Sequence, residues 1–292
     1  METISNINWF PGHMTKTKRM MQENQKLIDV VVELADARIP QSSRNPSIDE
    51  MFPSKPRLLV LNKCDIADER LTERWESFYR QRGVSVKAVS STSGKSLGGV
   101  FDACRALLKD KTEHDRARGL VNRSVKIMVV GIPNVGKSSF INKLSGKKNA
   151  ITGDRPGVTR GKQWIRLQNG FELLDTPGIL WPKFEDPKVG EMLAFTGAIK
   201  DEVLDMEEIA VKLLAFLRDN YPSSLEMRYK MTDFETLEGY ELLELLGKKR
   251  GFVISGGEID TERAAKILLD EFRSAKLGRI TLEKPITGEQ NA

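Results

Sequence analysis

Cysteine is scarce in this chain: Cys64 and Cys104 are the only two in 292 residues. Two thiols cannot build a disulfide framework, so a reducing compartment is the expectation. Long apolar runs are missing too. The stretch VVVELA at 30–35 falls far short of the roughly 20 residues a membrane helix needs, so no membrane partner is expected. The opening METISNINWFPGHM carries Glu2 and no apolar core. It resembles neither a secretory signal nor an Arg-rich transit peptide, and a cytoplasmic protein is expected. There is no repeat and no low-complexity tract, which argues against an array or a disordered linker protein. Histidine is nearly absent, with His13 and His114 alone.

What is present is ordinary for a globular protein: 39% hydrophobic and 30% charged residues. The net charge of +5 and pI near 9.1 permit a nucleic-acid partner without requiring one. The length suggests one sizeable domain and a smaller one. Strand-like runs at Val30–Leu34, Leu58–Leu61, Val84–Val89, Val125–Val130, Gln163–Leu167 and Phe171–Leu174 alternate with helical spacing over Leu71–Arg82, Leu97–Leu108 and Lys137–Leu144. That alternation predicts an α/β domain with a mostly parallel sheet and flanking helices. Lys109–Ser124 is charged and without periodicity, and reads as a linker or solvated turn. Past Pro182, Glu207–Arg218, Leu237–Leu246 and Thr261–Arg273 read as amphipathic helices. The division expected is residues 1–185 for the α/β domain and 186–292 for a helical domain.

Residues 131–138, GIPNVGKS, match the phosphate-loop pattern in full, with a strand before and a helix after. Backbone N–H groups along Asn134, Val135 and Gly136 and the helix start would face phosphate oxygens. Lys137 would reach the β and γ phosphates, Ser138 would ligate Mg²⁺, and Ser139 lies near the α-phosphate. Downstream, Asp175-Thr176-Pro177-Gly178 follows a strand. Asp175 would hold Mg²⁺ and the Gly178 N–H would meet the γ-phosphate. Between them Thr159 is the candidate second Mg²⁺ ligand, on a loop that could order with the γ-phosphate.

Base choice needs another element. Asn62-Lys63-Cys64-Asp65 stands at a strand end. The Asp65 carboxylate can accept from guanine N1–H and the exocyclic amine, donors that adenine does not offer in that arrangement. Asn62 is read as facing the other edge of the base, and the Lys63 stem as covering the ring and bracing the phosphate loop. Ser90-Ser91-Thr92 fits an accessory loop for guanine O6. The plain alternative for NKCD is a polar turn. The order of these parts is unusual, because the base loop precedes the phosphate loop. Read cyclically, NKCD, SST, phosphate loop, Thr159, DTPG is the ordinary GTPase order with its cut point moved. Domain termini often lie close together, so such a permutation is tolerated. The segment after DTPG, ILWPKFEDP at 179–187, leads straight into the helical region, and nucleotide state is therefore expected to reach that region.

Taken together, NWFPGHM (8–14), DARIPQSSRNP (36–46), NKCD, GIPNVGKSS, GDRPGVT, LLDTPGILWPKFED (173–186), GAIKD (197–201) and KRGFVISGG (249–257) resemble the circularly permuted GTPases, in particular the ribosome biogenesis GTPase A family. The resemblance covers nearly the whole chain. It implies a circularly permuted P-loop GTPase domain followed by a helical domain, binding GTP and GDP with Mg²⁺. It further implies a cytoplasmic factor for late assembly of the large (50S) ribosomal subunit, stimulated by the particle and contacting 23S rRNA. A monomer is expected. The family also tends to respond to K⁺, and Asn134 matches the asparagine associated with it; the alternative is that Asn134 only shapes the turn.

One departure bears on mechanism. Ile179 stands where Ras-like proteins carry the glutamine that orients water, so intrinsic turnover is expected to be slow. His114 lies in the charged segment. His13, set among Trp9, Phe10 and Pro11, could swing in when a partner docks, and the resemblance points to it as catalytic. Equally, it could be a structural histidine in an aromatic loop. For RNA, the candidate groups are Lys16, Lys18 and Arg19 near the start and Lys248, Lys249, Arg250, Lys276 and Arg279 in the helical region. Solvated charged faces are the competing reading. The competing function is a GTP-dependent RNA or protein binding module off the ribosome, such as a tRNA-modification or signalling GTPase.

Overall fold

Seven consecutive buried residues, VVVELAD, make Val30–Asp36 a central strand, β1. A strand covered on both faces belongs inside a parallel sheet. The computed structural model describes residue 19 and residues 21–120, 123–146, 164–174 and 186–286. Within them β1 is joined by β2 (Arg57–Asn62), β3 (Ser85–Ala88), β4 (Val125–Gly131), β5 (Trp164–Arg166) and β6 (Phe171–Leu174). The sheet order is β3-β2-β1-β4-β6-β5. All neighbours run parallel except β5, which pairs antiparallel with β6 at the edge.

The register decides where a site can form. Asp36 lies opposite Asn62, Leu61 opposite Ala88, and Leu34 opposite Gly131. The carboxyl ends of β1 to β4 therefore share one rim, the rim where open α/β sheets bind ligands. Helix α2 (Glu69–Gln81), capped by Asp68 accepting from the Leu71 N–H, packs on β3. Its Trp75 and Tyr79 close a core with Ala35, Leu59, Leu61, Cys64 and Val86. Helix α3 (Gly98–Leu107) packs on β2 and β3, and α5 (Lys137–Ser145) on β4. A short helix, α1 (Ser47–Met51), precedes β2. Neither cysteine forms a disulfide and both are buried, and burial pushes the Cys104 thiol up to about 12.

The segment expected to be a linker is largely a helix, α4 (Lys109–Ala117), which corrects that reading. It buries no residue, so it has no apolar stripe for periodicity to detect. It starts from Leu108, the residue that ends α3, and its Lys111 ammonium donates to the buried Asp29 carboxylate at 2.5 Å.

The chain divides into two units, Met1–Glu185 with Glu283–Ala292, and Asp186–Leu282. The second unit holds α6 (Pro187–Phe195), α7 (Met206–Asn220), α8 (Pro222–Tyr229), α9 (Tyr240–Arg250) and α10 (Thr261–Arg273). Asp186, Asp205 and Asp260 cap α6, α7 and α10 by accepting backbone N–H bonds. Leu213, Leu217, Leu243, Leu246, Leu268 and Phe272 are among the buried residues of this helical core. At Gly247 a Cβ would meet Ile259 Cγ2 at 2.4 Å, which fixes how closely α9 is approached. The helix expected at Leu237–Leu246 starts instead at Tyr240, after Gly239 turns the backbone at φ 56.

The sequence reading put everything after 185 in the helical domain. The structure corrects its last part: from Glu283 the chain rejoins the first unit. The half-buried Glu283 carboxylate accepts from the N–H groups of Gln41 (2.6 Å) and Ser42 (3.0 Å), and its carbonyl accepts from Trp75 Nε1 at 3.1 Å.

Candidate nucleotide-binding site

The loop Gly131–Lys137 leaves β4 and turns into α5. Three of its residues have positive φ, Gly131 at 159°, Asn134 at 57° and Gly136 at 96°. Gly136 has a second constraint, because a Cβ there would sit 2.5 Å from Asn62 Nδ2. At Gly131 a Cβ would meet the Leu34 carbonyl at 2.7 Å. Glycine is thus required where the loop presses on its neighbours. The first N–H groups of α5, on Lys137, Ser138 and Ser139, have no intrahelical acceptor, and Ser138 and Ser139 are exposed. Lys137 Nζ donates to the carbonyls of Gly131 (3.1 Å) and Ile132 (2.8 Å). The result is a cradle of backbone donors with an ammonium across it, suited to phosphate.

The base loop meets this cradle directly. Asn62 Nδ2 donates to the Val135 carbonyl at 2.8 Å, and Asn62 Oδ1 accepts from Ser91 N (3.1 Å) and Ser91 Oγ (2.7 Å). Three loops far apart in sequence are bolted together by one buried amide. This changes the role read for Asn62: one amide hydrogen at most is left for a base edge. Lys63, at φ 64, sends its ammonium to the Asn134 carbonyl (2.7 Å) and to Asp36 Oδ2 (2.9 Å). The Cys64 side chain turns inward and packs in the core beneath α2. Asp65 is exposed at the rim. Ser90 is buried and builds the turn, its Oγ accepting from Ser93 N.

His13, Thr159, Asp175, Gly178 and Ile179 lie outside the described residues. Of the residues read as Mg²⁺ ligands, the exposed Ser138 at the helix start is the one described. Its position beside the phosphate cradle fits a hydroxyl ligand for a nucleotide-bound cation. Sequence reasoning missed Asp36 and Arg38. The string DAR at the end of a strand was the available signal, but a carboxylate's partner across the sheet is not written in its neighbours.

Residues 126–250 match the family described as 50S ribosome-binding GTPase. The chain is 48% identical over 285 residues to "Ribosome biogenesis GTPase A" of Priestia megaterium, covering 97% of this chain and 99% of that protein. The chain belongs to the ribosome biogenesis GTPase A family. Two solved members of the YlqF type share its fold at 29% identity. A GDP-bound structure of TM YlqF has a TM-score of 0.67, covering 91% of this chain and 99% of that one. A GNP-bound structure from T. maritima has 0.63, covering 92% and 98%. The fold is that of a permuted P-loop GTPase with a helical region, and the family is one of GTPases.

Proposed function

We propose that this chain binds GTP across the loops at 62–65, 90–91 and 131–139 and hydrolyses it as a switch in late assembly of the large ribosomal subunit. The observation that supports the reading is the Asn62 joint, which ties the loop carrying the exposed Asp65 to the loop at 131–137. Asp65 pairs with the guanine donors, and an adenine would leave it unmatched. Lys137 and the N–H groups of the loop and of α5 hold the β and γ phosphates. Ser138, with Thr159 and Asp175, would hold Mg²⁺, whose charge offsets that of the phosphates. Asn134, exposed at positive φ, is the candidate K⁺ contact.

Ile179 offers no group to orient water, so turnover depends on another residue, which we assign to His13, engaged when the particle docks. The exposed Lys248 and Lys249 end α9 and, with Lys276 and Arg279, suit contact with the phosphates of 23S rRNA. Arg250 is partly committed to Glu271 at 3.6 Å, and Arg19 to Glu23 at 3.0 Å. The protein acts as a cytoplasmic monomer in this reading.

The test is GTP hydrolysis in potassium buffer, alone, with purified large subunits, and with small subunits. Strong stimulation by large subunits alone is the expected result, with loss of that stimulation in His13→Ala. Equal slow rates in all three would leave a GTP-binding protein whose partner lies elsewhere, as a tRNA-modification or signalling GTPase would behave.

A further inference from the structure

Lysine ammonium groups on a protein surface ordinarily sample many rotamers. The Lys63 ammonium does not stand alone: it bridges Asp36 Oδ2 at 2.9 Å and the Asn134 carbonyl at 2.7 Å. Its stem passes Gly136, where a Cβ would stand 4.0 Å from Lys63 Cε. Lys63 thus lies along the phosphate loop, anchored at one end by a carboxylate from a different strand.

That carboxylate is fixed in turn. Asp36 and Arg38 are each 2% exposed. Asp36 Oδ1 accepts from Arg38 N and Nε, both at 3.0 Å, and Oδ2 from Arg38 Nη2 at 2.8 Å. The Asp36 N–H donates to Ser43 Oγ at 2.9 Å, and Ser43 Oγ donates to the Ile39 carbonyl. The fork-to-fork pair sets both position and plane of the carboxylate. Burial works against its charge, but Arg38 and Lys63 outweigh that and hold Asp36 well below the usual carboxylate range. It therefore remains an anion at any working pH.

A buried ion pair is weak evidence of stability in itself. Here the pair does something a neutral core would not, since it orders a side chain at the ligand's site before the ligand arrives. We infer that Asp36, locked by Arg38, is a positioning residue for guanine-nucleotide binding: it holds Lys63 across the phosphate loop so that the site is pre-organised. Asp36 and Arg38 are then part of the nucleotide site at one remove. This rests on the reading of Asn62–Asp65 as the base loop.

The experiment measures dissociation of a fluorescent GDP from full-length Asp36→Asn, Lys63→Met and the double variant, each well below its melting temperature. Each single change should speed dissociation about tenfold, and the double variant should match either single one, because both cut the same linkage. Arg44→Met, which removes the Arg44 Nη2 bond to Glu33 Oε2 at 3.0 Å, should lower the melting temperature and leave dissociation unchanged. Wild-type dissociation in Asp36→Asn, effects that multiply in the double variant, or equal acceleration in Arg44→Met would each overturn the inference. If Asp36→Asn does not fold, Asp36→Glu takes its place against Lys63→Met with the same outcomes. Asp65→Asn, assayed with xanthosine diphosphate, tests the base loop separately. A gain of xanthosine binding with unchanged dissociation in Asp36→Asn sinks the positioning role alone, and no gain sinks the base-loop reading beneath it.

Discussion

At the residue scale, the site depends on a few positions with no room to change. Gly136 combines a φ of 96° with the Asn62 amide 2.5 Å from any added Cβ. Gly136→Ala would both strain the backbone and wedge the base loop off the phosphate loop, at a cost of about 1–3 kcal/mol. The expected outcome is a lower melting temperature and guanine-nucleotide affinity reduced at least tenfold, read by calorimetric titration. Unchanged affinity would mean the Asn62 joint is not needed for binding. Asn62 itself shows why types of residue mislead about roles. Its amide suits a base edge, yet most of its capacity goes to Val135 and Ser91, because a buried amide must satisfy its donors and acceptor.

At the element scale, strands were far more legible than helices. β1 and β4 show up as runs of buried β-branched and aliphatic residues, since both faces are covered. Helix α10 shows up through its apolar stripe. Helices α1, α6 and α8 were not read, since short helices carry few periods, and α4 has no buried face at all. What holds α6 is largely tertiary. The Arg273 guanidinium donates to the Ala194 and Phe195 carbonyls at its C-terminal end, and pairs with both Asp201 oxygens at 2.8 Å. The Phe195 carbonyl lies past the last intrahelical donor, while that of Ala194 also accepts from the Gly197 N–H at 3.1 Å. Arg273→Met should therefore destabilise this end of the helical unit by about 1–3 kcal/mol. Amide hydrogen exchange should then quicken over 187–199 while the sheet strands stay protected. Equal quickening in β1 and β4 would show that the effect is not local.

At the scale of the whole chain, the helical unit is an insertion between two parts of the first unit, which the sequence boundary at 186 did not reveal. Glu283 secures the return. The carboxyl is raised above its ordinary range, chiefly by desolvation, while the Gln41 and Ser42 N–H bonds pull the other way. The folded state then binds more protons than the unfolded one between the ordinary glutamate value of 4.5 and the raised one. Stability from this group falls as pH climbs through that window. Glu283→Gln should remove this pH dependence, so the stability of the wild type relative to it should decline from pH 4.5 upward. At neutral pH, Glu283→Ala should cost about 1–3 kcal/mol by stranding two N–H groups, and Glu283→Gln clearly less. Melting temperatures of the three proteins across pH 4.5–7.5 check this. A flat difference between wild type and Glu283→Gln would rule out a raised carboxyl.

The sequence alone determined the class of chemistry. GIPNVGKS and NKCD are local strings whose backbone shape and donor pattern act within a few residues, and their cyclic order with DTPG is that of a permuted GTPase. Tertiary structure decided the partnerships. Asn62 and Val135 are 73 positions apart, Lys63 and Asp36 27, and Glu283 and Gln41 242. No periodicity encodes such pairs: the first two arise only when the sheet order β3-β2-β1-β4 brings separate strand ends to one rim, and the third only when the chain returns to the first unit at Glu283.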